Sequence, residues 1–198
     1  MYRTIHWYRF GMNLLYCGGY GGRFAKLAEE LIKTDPKSVQ EFCFGDTYLA
    51  GFCRDRKIAW QGIDLNRKFV KHATKKGFRA VEGDVLELAV YEKSDLGVIA
   101  GALYHFSPEE LKLFLTKVFR STQVLLISEP VQNLSSSWGA LGRLLAGKLT
   151  ETSKREPYFR YTRENLLERL TFLGKILDFE IAVSGTYKND LILILTKK

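Results

Sequence analysis

The stretch from Ser38 to Cys53, SVQEFCFGDTYLAGFC, carries a β-like run that ends in Gly45 and Asp46 before the pattern turns helical. A strand-turn-helix junction of this kind brings backbone N–H groups close to a ligand. Asp64 follows nineteen residues after Gly45, at the end of a second apolar run, IAWQGIDL. At that spacing a second-strand carboxylate accepts hydrogen bonds from both hydroxyls of a ribose. Asp84 stands twenty residues further on, in EGDVLEL, placed to accept from an adenine amino group. The junction is nucleotide-binding in outline but poor in glycine. A pyrophosphate needs the close backbone approach that glycines allow, so the missing glycines argue against a dinucleotide such as NAD.

These residues require strands to hold them in one row. GGRFAKLAEELIKTDP places Phe24, Leu27, Ala28, Leu31 and Ile32 at helical spacing, and Asp35-Pro36 stops that helix. SVQEFCF reads as the first strand, TYLAGFCRD as a short helix and IAWQGIDL as the second strand. Asn66 caps the helix RKFVKHATKK, which Gly77 ends. FRAVEGD and DLGVIAGALYHF continue the alternation. Ser107-Pro108-Glu109-Glu110 then opens a helix with an N-cap serine, a proline at the first helical position and a capping-box glutamate. QVLLISEP, apolar almost throughout, is a fifth strand covered on both faces.

After Pro130 the rhythm breaks. An insertion over about 131–161 holds the apolar, helix-like SSWGALGRLLAGKL and the charged TETSKREP. Thr162 then caps RENLLERLTFLG, and KILDFEIAVSG and DLILILT close the chain around a turn at Lys188-Asn189-Asp190. The alternation predicts one α/β domain over 1–198, a doubly wound, mostly parallel seven-stranded sheet with a C-terminal antiparallel hairpin. Residues 1–36 are expected to form a helical lid. CGGYGG, Cys17 to Gly22, reads as a hinge between two helices of that lid or as a ligand loop, although it follows no strand and lacks the GK[ST] ending of a phosphate loop.

The motifs taken together resemble the class I S-adenosylmethionine-dependent methyltransferases, whose fold is Rossmann-like. That family ends its first strand in an acidic residue and a turn of the form D/E-x-G-x-G-x-G. Here EFCFGDT supplies Glu41, then Cys43, Gly45 and Thr47 at the three glycine places. GIDLN matches the ribose-binding segment, EGDVLEL the adenine side, and DLGVIAGALYHF the strand bordering the methyl donor. The resemblance implies S-adenosylmethionine (SAM) as cofactor and S-adenosylhomocysteine (SAH) as product. It assigns cofactor contacts to Glu41, Cys43, Gly45, Asp64, Leu65, Asp84, Val85, Ala100 and Gly101. It spans about residues 38–198.

Methyl transfer from a sulfonium is an in-line displacement, so positioning is the main task. A base serves only an acceptor that holds its proton. His105, just past the fourth strand, has a suitable ordinary pKa, and Tyr104 can orient the acceptor. Glu129 at the end of the fifth strand is a third candidate. His105 has an alternative reading, helix-start packing beside Ser107. Cys43 reads equally as a small buried residue or a reactive thiol.

With 198 residues and 46% hydrophobic composition the chain can bury a sizeable core. Its net charge of +8 suits nucleic acid, an anionic membrane surface or an acidic substrate, or is a solvated lysine-rich face. Cys17, Cys43 and Cys53 form no CxxC pair, and the N-terminus carries charges where a signal peptide has its apolar core. A cytoplasmic setting and no transmembrane segment are expected. The aromatic N-terminus and the apolar insertion suit a small organic or lipid-like acceptor. The (N/D)PP(Y/F) segment used on exocyclic base nitrogens is absent, GALYHF standing in its place. An RNA methyltransferase and a non-catalytic methyltransferase-like binding module are the alternatives.

Overall fold

The computed structural model describes residues 5–131 and 160–198. The chain opens with two helices, α1 (Ile5–Leu15) and α2 (Tyr20–Thr34). Strands and helices then alternate: β1 (Ser38–Phe42), α3 (Tyr48–Asp55), β2 (Ala59–Asp64), α4 (Arg67–Lys75), β3 (Arg79–Glu82) and β4 (Leu96–Ala100). A 3-10 turn (Leu103–His105) leads into α5 (Pro108–Ser121) and β5 (Val124–Pro130). After the insertion come α6 (Arg163–Leu177), β6 (Phe179–Tyr187) and β7 (Asp190–Lys197).

All seven strands form one sheet in the order β3-β2-β1-β4-β5-β7-β6. β1 through β5 are mutually parallel, whereas β7 lies antiparallel between β5 and β6. From β1 the chain winds outward to β3, then crosses back to place β4 on the other side of β1. The crevice therefore opens at the carboxyl ends of β1 and β4, the switch point of the order.

Alternation along each strand divides the core into two layers. On one face Val39, Leu96, Val98 and Leu126 meet Leu27 and Leu31 of α2 and Leu49 of α3. On the other, Phe42, Ile99, Leu125 and Leu193 meet Phe114 of α5 and Leu170 of α6. Phe42 and Phe114 pack edge to face with centroids 5.2 Å apart. The buried arc of α2 takes in Tyr20, Arg23 and Glu30. That rotates Ile32, expected in the core, out to half exposure.

The caps expected from sequence form. Ser107 Oγ accepts from Glu110 N–H and Glu110 Oε2 from Ser107 N–H. Asn66 Oδ1 accepts from Lys68 N–H, and Thr162 pairs reciprocally with Asn165. One boundary moves. The sequence reading stops the last helix at Gly174 and gives Lys175–Leu177 to the strand, but α6 runs on to Leu177. Asp178 takes the left-handed place (φ 59°) and its N–H bonds Gly174 O. Gly174 is needed for room instead, since a Cβ there would stand 2.7 Å from Phe179 O.

The lid expected over 1–36 divides into two unlike parts. α2 is core, with Leu27 and Leu31 fully buried. α1 lies over the crevice. Tyr16 to Gly19 link the two, Tyr187 Oη donating to Gly19 O at 2.9 Å, while Tyr20 to Gly22 of the glycine-rich stretch belong to α2. Of the insertion, SSWGALGRLLAGKL lies outside the described residues.

Candidate functional site

The junction after β1 is held by its neighbours. Cys43 N–H bonds Ile63 O at 2.7 Å, which anchors the turn to β2. Cys43 (φ 54°) and Gly45 (φ 57°) both adopt left-handed backbone. Gly45 N–H donates to Asp64 Oδ2 at 2.9 Å, and Asn66 N–H donates to Asp64 Oδ1 at 2.7 Å. The two residues that the spacing singled out are thus joined directly. Burial pushes the Asp64 carboxyl up to about 6, against the pull of those two N–H groups. A Cβ on Gly45 would stand 2.9 Å from Tyr8 Oη, so a larger residue would have to displace the Tyr8 hydroxyl as well as adopt a left-handed φ.

Asp46 is fully buried and held by Arg9 of α1 in a two-pronged pair, Nε to Oδ2 at 2.8 Å and Nη2 to Oδ1 at 2.7 Å. Thr47, where the family pattern has its third glycine, turns its hydroxyl to Lys76 Nζ at 3.3 Å. Glu41 is fully buried, and its Oε2 accepts from Trp60 Nε1 at 2.9 Å. Glu41 Oε1 has no hydrogen-bond partner among the described residues. Burial raises this carboxyl well above the usual range.

Asp84 is tied to the same row through its neighbour, since Gly83 N–H bonds Asp64 O at 3.1 Å. Its Oδ1 accepts from Leu86 N–H at 2.8 Å. Val85 is buried and its carbonyl accepts from Tyr91 Oη, while Leu65 is half-buried. At the end of β4, half-buried Ala100 leads to Gly101 (φ 63°), whose N–H bonds Ser128 O at 2.7 Å.

Behind Gly101 lies a buried polar cluster that sequence reasoning missed. Arg23 of α2 contacts Asp190 Oδ2 at 2.5 Å and donates to Ser128 O at 2.7 Å. Ser128 Oγ and Tyr16 Oη donate to the two oxygens of Asp190, at 2.8 and 2.9 Å. Burial alone would lower the Arg23 pKa, but Asp190 beside it reverses the sign and keeps the guanidinium charged. The one local signal is an arginine within the apolar arc that Tyr20, Phe24 and Leu27 define.

Tyr104 and His105 sit together in the 3-10 turn, ring centroids 4.2 Å apart, both half-buried. The Arg160 guanidinium lies 5.7 Å from the Tyr104 ring. Glu129, a candidate base by sequence, faces this turn from below. It accepts N–H bonds from Ala102, Leu103 and Tyr104, each at 3.1 Å. Its oxygens are engaged in shaping the turn that presents Tyr104 and His105. Among the described residues no group of His, Cys, Asp and Glu is arranged to hold a metal ion.

Of the three carboxyls near the turn, Glu41 is buried with its pKa raised and Asp46 is paired with Arg9, whereas Asp64 bonds Gly45 N–H directly and keeps lone pairs for ligand hydroxyls.

No protein-family model matches the sequence, and no curated protein matches it. Solved structures do. Magnesium protoporphyrin IX methyltransferase from Synechocystis PCC 6803, with bound SAH, is similar over 93% of this chain and 86% of its own, at 17% identity and a TM-score of 0.67. Human N-acetylserotonin methyltransferase in complex with SAM is similar over 96% of this chain and 55% of its own, at 16% identity and a TM-score of 0.66. A small RNA methyltransferase is similar over 89% of this chain and 25% of its own, at 18% identity and a TM-score of 0.68. The chain has the Rossmann-like methyltransferase fold.

Proposed function

We propose that this chain is a SAM-dependent methyltransferase acting on a small organic or lipid-like acceptor. The observation that carries the reading is the Gly45 N–H to Asp64 Oδ2 bond at the switch point of the sheet, which fixes a carboxylate beside the ligand turn. Asp64 keeps lone pairs for ribose hydroxyls after accepting its two N–H bonds. The donor set fits the cofactor, since Asp64 can accept from the ribose hydroxyls of SAM and the glycine-poor turn need not make the close approach that a pyrophosphate demands. Cys43 and Gly45 would run beneath it, Leu65, Asp84 and Val85 would flank the adenine, and Ala100 and Gly101 would border the methionine end. Glu41 would act from behind the turn.

When bound, SAM supplies a methyl group on an activated leaving group. The chain's own work is then to orient the acceptor and to manage its proton. Glu129 sets the backbone of the 3-10 turn, Tyr104 orients the acceptor, and His105 takes up a proton from an acceptor that does not release it unaided. Cytoplasmic action on a dissolved or membrane-derived acceptor is part of the same proposal.

Calorimetric titration with SAM and SAH tests the reading. Micromolar binding is expected, and Asp64→Ala should weaken it by about 1–3 kcal/mol through the lost ribose hydrogen bonds. Unchanged affinity in that variant would overturn the placement of the ribose. No binding to either ligand by folded protein would favour a non-catalytic binding module. An RNA acceptor is the second reading, favoured by the net charge of +8. Methyl transfer to RNA but to no small acceptor would establish it.

A further inference from the structure

Helix α1 is apolar on two sides. Ile5, Tyr8, Met12 and Leu15 face the core beneath it. Trp7, Phe10 and Leu14, spaced along the opposite side, are 63%, 63% and 42% exposed. Trp7 and Phe10 meet edge to face with centroids 5.9 Å apart, so they form one continuous surface. The stripe runs about 10 Å along the helix. A helix apolar on both sides is ordinarily buried on both.

The surroundings of this stripe are cationic. α1 packs against α4, the Tyr8 and Phe69 rings lying 4.9 Å apart. α4 exposes Arg67, Lys68, Lys71 and Lys75, and Lys76 follows it. Neither helix contains a carboxylate. Two acidic groups that contact these helices are engaged, Asp46 by Arg9 and Glu82 by Arg67 at 3.7 Å. Among the described residues no helix is long and apolar enough to cross a membrane.

We propose that α1 and α4 together form a docking surface for an anionic lipid bilayer, with Trp7, Phe10 and Leu14 entering the interface and the α4 cations meeting the headgroups. Exposed Trp, Phe and Leu beside Lys and Arg are the composition of interfacial helices. Charge complementarity decides between partners. Lysine is depleted at protein interfaces, which disfavours a protein docking here. RNA would stack on the aromatic rings but gains nothing from Leu14. The surface goes beyond the proposed chemistry and does not depend on it.

Co-sedimentation of the full chain with vesicles tests the proposal directly. The probes are phosphatidylcholine vesicles with and without phosphatidylglycerol. Binding is expected only to the anionic vesicles, weakening in high salt and accompanied by a blue shift of tryptophan emission that Trp7→Ser removes, the chain having three tryptophans. Trp7→Ser with Phe10→Ser, and separately Lys68→Glu with Lys71→Glu, should each weaken it at least about tenfold. Phe172 of α6 is equally exposed at 63% and lies in the opposite layer, so Phe172→Ser should leave binding unchanged. Circular dichroism of each variant checks the fold.

Three results would overturn the proposal: no binding to anionic vesicles, equal binding by the Trp7/Phe10 variant, or self-association that this variant abolishes while vesicles are ignored. SAM titration of the same proteins is read separately. A failed titration would overturn the methyltransferase reading and leave the docking surface standing, and failed sedimentation would do the reverse.

Discussion

Asp64 is pulled in two directions, since burial favours its neutral form and the N–H groups of Gly45 and Asn66 favour its anion. Burial wins and lifts the pKa from 3.8 to about 6. Between those two values the folded chain holds a proton that the unfolded chain has released, so this group's contribution to stability falls as pH rises through the window. Cofactor binding has the opposite slope, because ribose hydroxyls donate to the anion. SAM affinity is therefore expected to increase from pH 5 to 7 and level off above, and Asp64→Asn should flatten the profile. Titration calorimetry across that range checks both, and an unflattened profile in the variant would assign the slope to another group.

Cys43 offers a second residue-scale test. Its φ of 54° is a place that suits glycine, and a side chain there costs about 1 kcal/mol. Cys43→Gly should be neutral or stabilising, whereas a β-branched valine should lose about 1–2 kcal/mol by chemical denaturation. The reverse order would mean that packing of the cysteine against the core, not backbone strain, governs the position. The sequence pattern exposed Gly45, Asp64 and Asp84 because each stands at or just past the carboxyl end of a strand. Asp46 was hidden because its partner Arg9 lies 37 residues away on another helix.

At the scale of elements, local chemistry made most boundaries legible. Ser107, Asn66 and Thr162 cap helices through bonds to residues two or three positions on, which a sequence displays directly. Ser107→Ala should cost about 1 kcal/mol in thermal unfolding. Its effect should also reach the site, since the 3-10 turn bearing Tyr104 and His105 feeds directly into α5. A stability loss below a few tenths of a kcal/mol would show that Pro108 alone starts the helix. The end of α6 was not legible, because Gly174 imitates a helix stop when its real constraint is the approach of Phe179 from the next strand. The division of the expected lid into a core helix and a surface helix likewise depended on tertiary contacts.

For the whole molecule, alternation of strands and helices conveyed the sheet but not the polar cluster that ties α2 to it. Arg23, Ser128 and Asp190 tie α2 to β5 and β7 in a buried cluster at the rim of the crevice. Arg23→Met would leave Asp190 buried beside Ser128 without its countercharge, a change that costs about 3–5 kcal/mol. Urea denaturation is the measurement, and a loss under about 1 kcal/mol would show that packing alone holds α2 to the sheet.

That cluster also bears on the order of events during synthesis. Tyr16 and Asp190 are 174 positions apart, and β7 is the strand that slots between β5 and β6. Long separations of this kind delay the contacts that reward chain closure. Until β7 is translated Arg23 has no countercharge, although Leu27 and Leu31 of α2 can already pack on β1, β4 and β5. A truncation that removes β7 is therefore expected to leave Arg23 and Tyr16 without Asp190 at the front of the molecule as well as β5 and β6 unjoined at the back.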